Sequence, residues 1–263
     1  MKLNIKNDII YYTFDELPIP HLFTTKHGGV STGVCASMNL SVSSNGKDTK
    51  ENVTENFRRL STLGFDYDSF TLLNQRHTNI VLAVSNEHRG NNVRLPNFLE
   101  IADGMITNDP SVTLVTSHAD CQALYFYDPV NQAIGLSHSG WRGVLENIAF
   151  NTVTSMQNTY HTNPSDLIVG VSPSLSVCCF EVDEDVASAF LQKFAFSKDY
   201  ITQKGPKFHI DLLALTKKHL LNAGVLEKNI FIADICTRCN SELFHSHRKS
   251  GTNRGNMVAM LRL

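Results

Sequence analysis

Cys121, in Ala119-Asp120-Cys121, and His138, in His138-Ser139-Gly140-Trp141-Arg142-Gly143, lie 17 residues apart in a chain of 263. A thiolate and a neutral imidazole are borderline-soft ligands that suit zinc or copper. Without a metal, the same pair is a nucleophile beside its general base. Gly140 and Gly143 flank a large ring and a guanidinium, so the backbone there can turn tightly and approach a ligand closely. Taken singly, each residue reads as well as a buried core thiol or a hydrogen-bonded core histidine. Together, beside Arg142, they point to a site. Positioning them falls to two short apolar runs, Val112 to Thr116 and Ala133 to Leu136, which have the length and flanking turns of buried strands. Neighbouring strands would bring both side chains to one sheet edge, where sites commonly sit.

His77 falls at a break between the apolar runs Thr71 to Leu73 and Ile80 to Val84, and reads equally as a solvated loop residue. His27-Gly28-Gly29 closes a strand-like stretch from His21 to Lys26 in a loop that either turns the chain or offers N–H groups to an anion. Cys236-Thr237-Arg238-Cys239 is half of a closed zinc site, and no second pair follows at finger spacing. These are expected to be structural thiols, and the vicinal Cys178-Cys179 to pack against apolar neighbours. The tail from His245 to Arg254 is basic and glycine-punctuated, a solvated loop or an anion site.

Composition narrows the function classes. The chain is 42% hydrophobic and 18% charged, with a formal net charge of −2, which is ordinary for a globular protein. No long basic run gives the electrostatic footprint of a nucleic-acid binder. No apolar stretch reaches the ~20 residues that span a bilayer. The first residues lack the apolar core of a signal peptide, and six cysteines are sparse for this length, so a reduced, cytoplasmic setting is expected.

The elements follow from periodicity. Asp48 or Thr49 caps a helix carrying Val53, Phe57 and Leu60 on one face. Leu145, Ile148, Ala149, Thr152 and Met156 line a second helix, and a third runs from about Asp183 to Phe194. Asp211 caps a fourth, which ends at Gly224. Met105 to Thr107, Leu167 to Val171, Ile230 to Ala233 and Met257 to Leu263 read as strands, and Glu87 to Glu100 as a polar surface excursion. Helices and strands interleave without a linker or a repeat. The pattern predicts one mixed α/β (α+β) domain over residues 1–263.

The ordered motifs resemble one family. Phe23-Thr24-Thr25-Lys26-His27-Gly28-Gly29-Val30-Ser31, Met38-Asn39-Leu40, Asn74-Gln75-Arg76-His77, Ala102-Asp103-Gly104, Ala119-Asp120-Cys121, His138 to Gly143, Cys178-Cys179-Phe180-Glu181-Val182 and Phe244-His245-Ser246-His247-Arg248 resemble the YfiH-type, laccase-domain family, associated with purine nucleoside phosphorylase activity. The resemblance implies a layered sandwich of mixed sheets flanked by helices, shared with certain cysteine hydrolases. It makes His77, Cys121 and His138 zinc ligands and leaves the fourth tetrahedral position open, as in catalytic sites. It implies cleavage of inosine, adenosine, guanosine and methylthioadenosine by phosphate, with adenosine deamination as a second activity. Arg142 is then the leading catalytic cation. Lys26, Asn39, Asp120 and Arg248 are assigned to the nucleoside and phosphate, and Asp120 or Asp103 to a purine or ribose proton. Three features depart from the family's usual pattern: Lys26 where arginine is common, His118 beside the Asp-Cys pair, where it is a potential competing ligand, and His245 and His247 in the tail. Three other readings stand beside this one. A copper polyphenol oxidase would need many paired histidines, and His245-Ser246-His247 is the only H-x-H. A hydrolase editing cell-wall precursors would use Cys121 with His138 as its base. A non-catalytic zinc-stabilised binding module would leave the open metal position unused.

Overall fold

The computed structural model describes residues 1–41 and 46–263. Alternation of apolar side chains along its strands decides how the layers stack. In the strand Met257–Leu261, Met257, Ala259 and Leu261 enter one core cluster, while Val258 and Met260 enter another on the opposite face. Leu114 and Val115 divide in the same way, as do Phe23 and Leu22. A period of two sends successive side chains to opposite faces, so a strand feeding two cores must lie in a sheet covered on both sides.

Two six-stranded sheets result. The first is ordered Lys2–Lys6, Ile9–Thr13, His21–Thr24, Met257–Leu261, Thr113–His118 and Phe70–Leu72. The second is ordered Ile230–Ile232, Ile168–Val171, Gln122–Asp128, Ala133–Ser139, Gly104–Thr107 and Val81–Ala83. Both are mixed: Phe70–Leu72 runs parallel to Thr113–His118, and Val81–Ala83 parallel to Gly104–Thr107. Phe23, Leu114 and Ala259 from the first sheet meet Tyr125, Ile134 and Leu136 from the second. Each fully buried leucine, isoleucine or phenylalanine side chain here contributes roughly 1.5–3 kcal/mol. The Tyr125 hydroxyl donates to the Leu22 carbonyl at 2.7 Å, so its polar end is satisfied between the layers.

Helices cover the outer faces. Lys50–Leu60 packs Val53, Phe57 and Leu60 on the first sheet, and Ile148–Tyr160 and Leu212–Asn222 pack on the second. Thr49 and Asp211 are the N-caps of the first and third of these helices, accepting from the Asn52 and Ala214 amides. A separate three-stranded sheet, Glu181–Val182, Lys207–Ile210 and Ile201–Lys204, and the helix Glu184–Lys193 share a fourth core with Val144 and Leu215. The layered mixed α/β architecture is the one expected. No helix among the described residues is long and apolar enough to cross a membrane.

Two local expectations give way. The stripe from Leu145 to Met156 is not one helix: Trp141–Leu145 ends, and Asn147 adopts φ 59° and caps a new helix starting at Ile148. Nor do the runs leading into Cys121 and His138 share a sheet. Thr113–His118 belongs to the first sheet and Ala133–Ser139 to the second, and the strand Gln122–Asp128, absent from the sequence reading, connects them.

Candidate metal centre

The chain crosses between sheets at residues 119–121, where Asp120 takes φ 86°. Asp tolerates this left-handed region better than most residues because its short polar side chain can bond locally. Its carboxylate accepts from the Thr237 hydroxyl and the Arg248 amide, both at 2.6 Å, which clamps the turn to the C-terminal segment. From Gln122 the chain enters a hairpin in which Gln122 opposes Ser139 and Ala123 opposes His138. Cys121 therefore emerges at the end of the sheet bearing His138. The two residues meet through antiparallel pairing across a turn.

His77 arrives on a loop with φ 63°, and Asp103 holds that loop. Fully buried, Asp103 accepts from the amides of Arg76 (3.1 Å), His77 (3.0 Å) and Thr78 (2.6 Å), from the Thr78 hydroxyl (2.8 Å) and from His138 Nδ1 (2.8 Å). Burial alone would raise its pKa, but the hydrogen bonds and charge of His138 and the bonds from Thr78 outweigh it and bring the value down to about 2. One carboxylate thus orients two of the three candidate ligands. With Nδ1 of His138 donating to Asp103, Nε2 is the ring nitrogen left for a metal, the carboxylate–histidine arrangement that orients zinc ligands.

Ligand atoms of His77, Cys121 and His138 lie within 4.8 Å of one another, with His77 Nε2 3.9 Å from Cys121 Sγ. Burial would raise the Cys121 pKa, yet the His138 charge and the bonds from both imidazoles lower it to about 6. Burial would lower that of His138, and the Cys121 and Asp103 charges raise it to about 9. Gly140 closes the cluster. A Cβ there would sit 2.8 Å from His77 Cδ2 and 2.9 Å from Cys121 Sγ, so only glycine leaves room for these side chains to converge. Two imidazoles, one thiolate, a fixed tautomer and a bare backbone against the cluster fit a three-ligand metal site with an open position. His118 is not a competing ligand: its ring nitrogens face Thr116 Oγ1 at 2.8 Å and the Cys121 carbonyl at 3.2 Å. His245 and His247 join no metal-ligating cluster among the described residues, so the H-x-H motif builds no copper site here.

Two cavities, of about 350 and 410 Å³, meet at this cluster and share His77, Ala119, Cys121 and Arg254 as walls. The first is lined by Trp141, Phe180, Leu175 and Leu212, with Arg142 and Arg248 on its rim. The Arg142 guanidinium lies 4.2 Å from the centre of the Trp141 ring, and that of Arg248 5.4 Å from Phe180 while donating to the Glu181 carbonyl at 2.6 Å. Lys26 and Asn39 border neither cavity. The Lys26 ammonium donates to the Ser241 carbonyl at 2.6 Å. Asn39 is fully buried, donating to Asp48 at 2.7 Å and accepting from the Ser41 and Asn256 amides at 3.0 Å. Asn39 thus supports the segment that carries Arg254. Asp103 is fully buried with both oxygens hydrogen-bonded, whereas Asp120, bonded to Thr237 and Arg248, also lines the first cavity. Arg254, read in the sequence only as part of a basic tail that is a solvated loop or an anion site, lines both cavities.

The comparisons bear on the family and the fold. Residues 20–263 match the family model described as multi-copper polyphenol oxidoreductase laccase. The purine nucleoside phosphorylase YlmD of Bacillus subtilis is 32% identical over 243 residues, which is 91% of this chain and 86% of that protein. The crystal structure of YlmD from Geobacillus stearothermophilus superposes with a TM-score of 0.90 at 29% identity, covering 98% of this chain and 97% of that one. The Bacillus licheniformis protein YfiH superposes at 0.91 with 26% identity, covering 98% and 97%. From its motifs, its layered sheets and the match over residues 20–263, the chain belongs to the multi-copper polyphenol oxidoreductase laccase family, the YfiH-type laccase-domain group.

Proposed function

We propose that the protein is a zinc-dependent purine nucleoside phosphorylase, acting on inosine, adenosine, guanosine and methylthioadenosine. One observation carries the reading: an apolar, aromatic cavity opens onto the His77–Cys121–His138 cluster and is bordered by three arginines, Arg142, Arg248 and Arg254. A purine needs flat apolar walls, which Trp141 and Phe180 supply. Phosphate attacking C1′ of ribose as the base departs concentrates negative charge, which held cations must balance. Relatives named purine nucleoside phosphorylase support the reaction class.

Each residue then has a task. Arg142, exposed on the first turn after Gly140, has no carboxylate partner among the described residues and presents its guanidinium to phosphate from the face of Trp141. Arg248 is held by the Glu181 carbonyl and the Asp120 clamp, so its orientation costs little on binding. Arg254, reaching both cavities, places a third charge beside the cluster. Asp103 keeps His138 in one tautomer and His77 in place. Zinc held by His77, Cys121 and His138 would supply Lewis acidity at the cavity floor.

The test is product analysis with inosine. With phosphate, hypoxanthine and ribose 1-phosphate are expected together; in phosphate-free buffer, hypoxanthine should nearly disappear. Arg142→Ala should lower kcat/KM by about 10²–10³-fold, the range for losing one charge-stabilising donor, at unchanged zinc content. Adenosine deamination belongs to the same reading and should continue without phosphate. A second reading, hydrolysis with Cys121 as nucleophile, draws on the depressed Cys121 pKa beside His138. It takes over if hypoxanthine release is indifferent to phosphate or if Arg142→Ala turns over normally.

A further inference from the structure

The thiols outside the candidate centre meet in space although they lie in two distant segments. Cys178 and Cys179 stand on the turn before Glu181–Val182, and Cys236 and Cys239 on the loop after Ile230–Ile232. A backbone bridge between Ser174 and Cys236 and the bond from the Thr237 amide to the Ser174 carbonyl hold the two segments side by side. All four sulfurs lie within 4.8 Å of one another. The Cys178–Cys179, Cys178–Cys239 and Cys179–Cys239 separations are 3.7, 3.7 and 3.5 Å.

We propose that Cys178, Cys179, Cys236 and Cys239 bind a second zinc ion, closed and structural, distinct from the His77–Cys121–His138 centre. Four thiolates at ~2.3 Å from a tetrahedral zinc stand about 3.8 Å apart, and the three separations above match that edge. A disulfide would require ~2.05 Å, and no pair approaches it. The vicinal pair supplies the half-site that the lone C-x-x-C lacked. Four protein ligands leave no open position, which marks a structural rather than a catalytic ion.

Charge supports the same occupant. Binding releases four thiol protons, so a divalent ion with four thiolates carries a net −2. The Arg238 guanidinium donates to Cys179 Sγ at 3.5 Å, and Arg248 and Lys249 line the same depression as Cys179 and Cys239. The location gives the ion a function. Cys179 precedes Phe180, a wall of the purine-sized cavity, and Cys236 precedes Thr237, which bonds Asp120 beside Cys121. An ion joining the two segments would fix that wall and the Arg248 segment relative to the candidate centre.

The test counts zinc on the full chain. Wild type should carry about two zinc per chain, and Cys236→Ser/Cys239→Ser and Cys121→Ala about one each, because each removes a different site. Loss in Cys121→Ala alone would speak only to the candidate centre, so the two readings fail separately. Wild-type protein needs no variant for two further measurements. Cobalt in place of zinc should give the intense thiolate-to-metal absorption of a four-sulfur site. The mass of the denatured, unreduced chain should show six free thiols. One zinc in wild type that survives Cys236→Ser/Cys239→Ser, or a mass short of two hydrogens for each disulfide, overturns the proposal.

Discussion

Gly140→Ala is the sharpest perturbation of the candidate centre, because it adds one methyl group and removes no ligand. The backbone at Gly140 has φ −78° and ψ −179°, which alanine adopts without strain. At such a position Gly→Ala tends to stabilise by about 0.4–1 kcal/mol through the unfolded chain, so the fold should persist. The new Cβ would stand 2.8 Å from His77 Cδ2 and 2.9 Å from Cys121 Sγ. Non-bonded carbons rest at about 3.5–4.0 Å, so the ligands must retreat by roughly 0.7 Å or more. Zinc sites tolerate departures of only about 0.2 Å, and a displaced or reoriented ligand costs about 10–100-fold in affinity. We expect zinc affinity to fall at least that far, measured by competition with a chromophoric chelator, with Tm within a few degrees of wild type. Gly143→Ala, three residues on in the same motif but with its nearest Cβ neighbour at 3.4 Å, should bind zinc as wild type does. Wild-type affinity in Gly140→Ala would refute the placement of the three ligands against this glycine.

Other outcomes follow from buried polar groups. Asp103→Asn keeps the shape but turns an amide donor toward amides that need an acceptor; breaking a buried charged network costs about 3–5 kcal/mol, readable by urea denaturation, and zinc affinity should drop about 10–100-fold with it. His219 governs an acid transition away from the centre. It is buried against Phe194 and Phe196, and burial lowers its pKa from 6.5 to about 4. The unfolded chain therefore binds the proton first, and the native state loses stability as pH falls from about 6.5 to about 4, by about 3 kcal/mol at most. His219→Leu should remove that slope: urea midpoints of wild type and variant should converge or cross toward pH 4, and parallel curves would exclude the assignment.

Residue types were legible in the sequence to a greater degree than partners were. Cys121 and His138 were recognisable as a pair because both end apolar runs, but the reason for their meeting was not. The run Gln122–Asp128 is buried on both faces and carries no alternation to mark it as a strand. The crossing between sheets depends on one aspartate in a left-handed conformation, which neighbouring residues do not encode. Asn147 hid a helix break in the same way, since its conformation follows from capping Phe150 rather than from any glycine or proline. His77 entered the ligand set only through resemblance, because its position is set by Asp103 and not by its own segment. Asp103 entered only within a family motif, as a candidate for a substrate proton; its work in holding the His77 loop is visible only when three amides of that distant loop point at it. The cysteines make the same case more strongly. Neither Cys178-Cys179 nor the C-x-x-C has a ligand count that means anything alone, and loop-to-loop proximity has no sequence period. What local patterns specify is the set of groups able to do chemistry. Which of them act together is decided by buried acceptors and sheet crossings, so Asp103 and Asp120, although both engaged in hydrogen bonds, are the positions whose loss should scatter the candidate centre most widely.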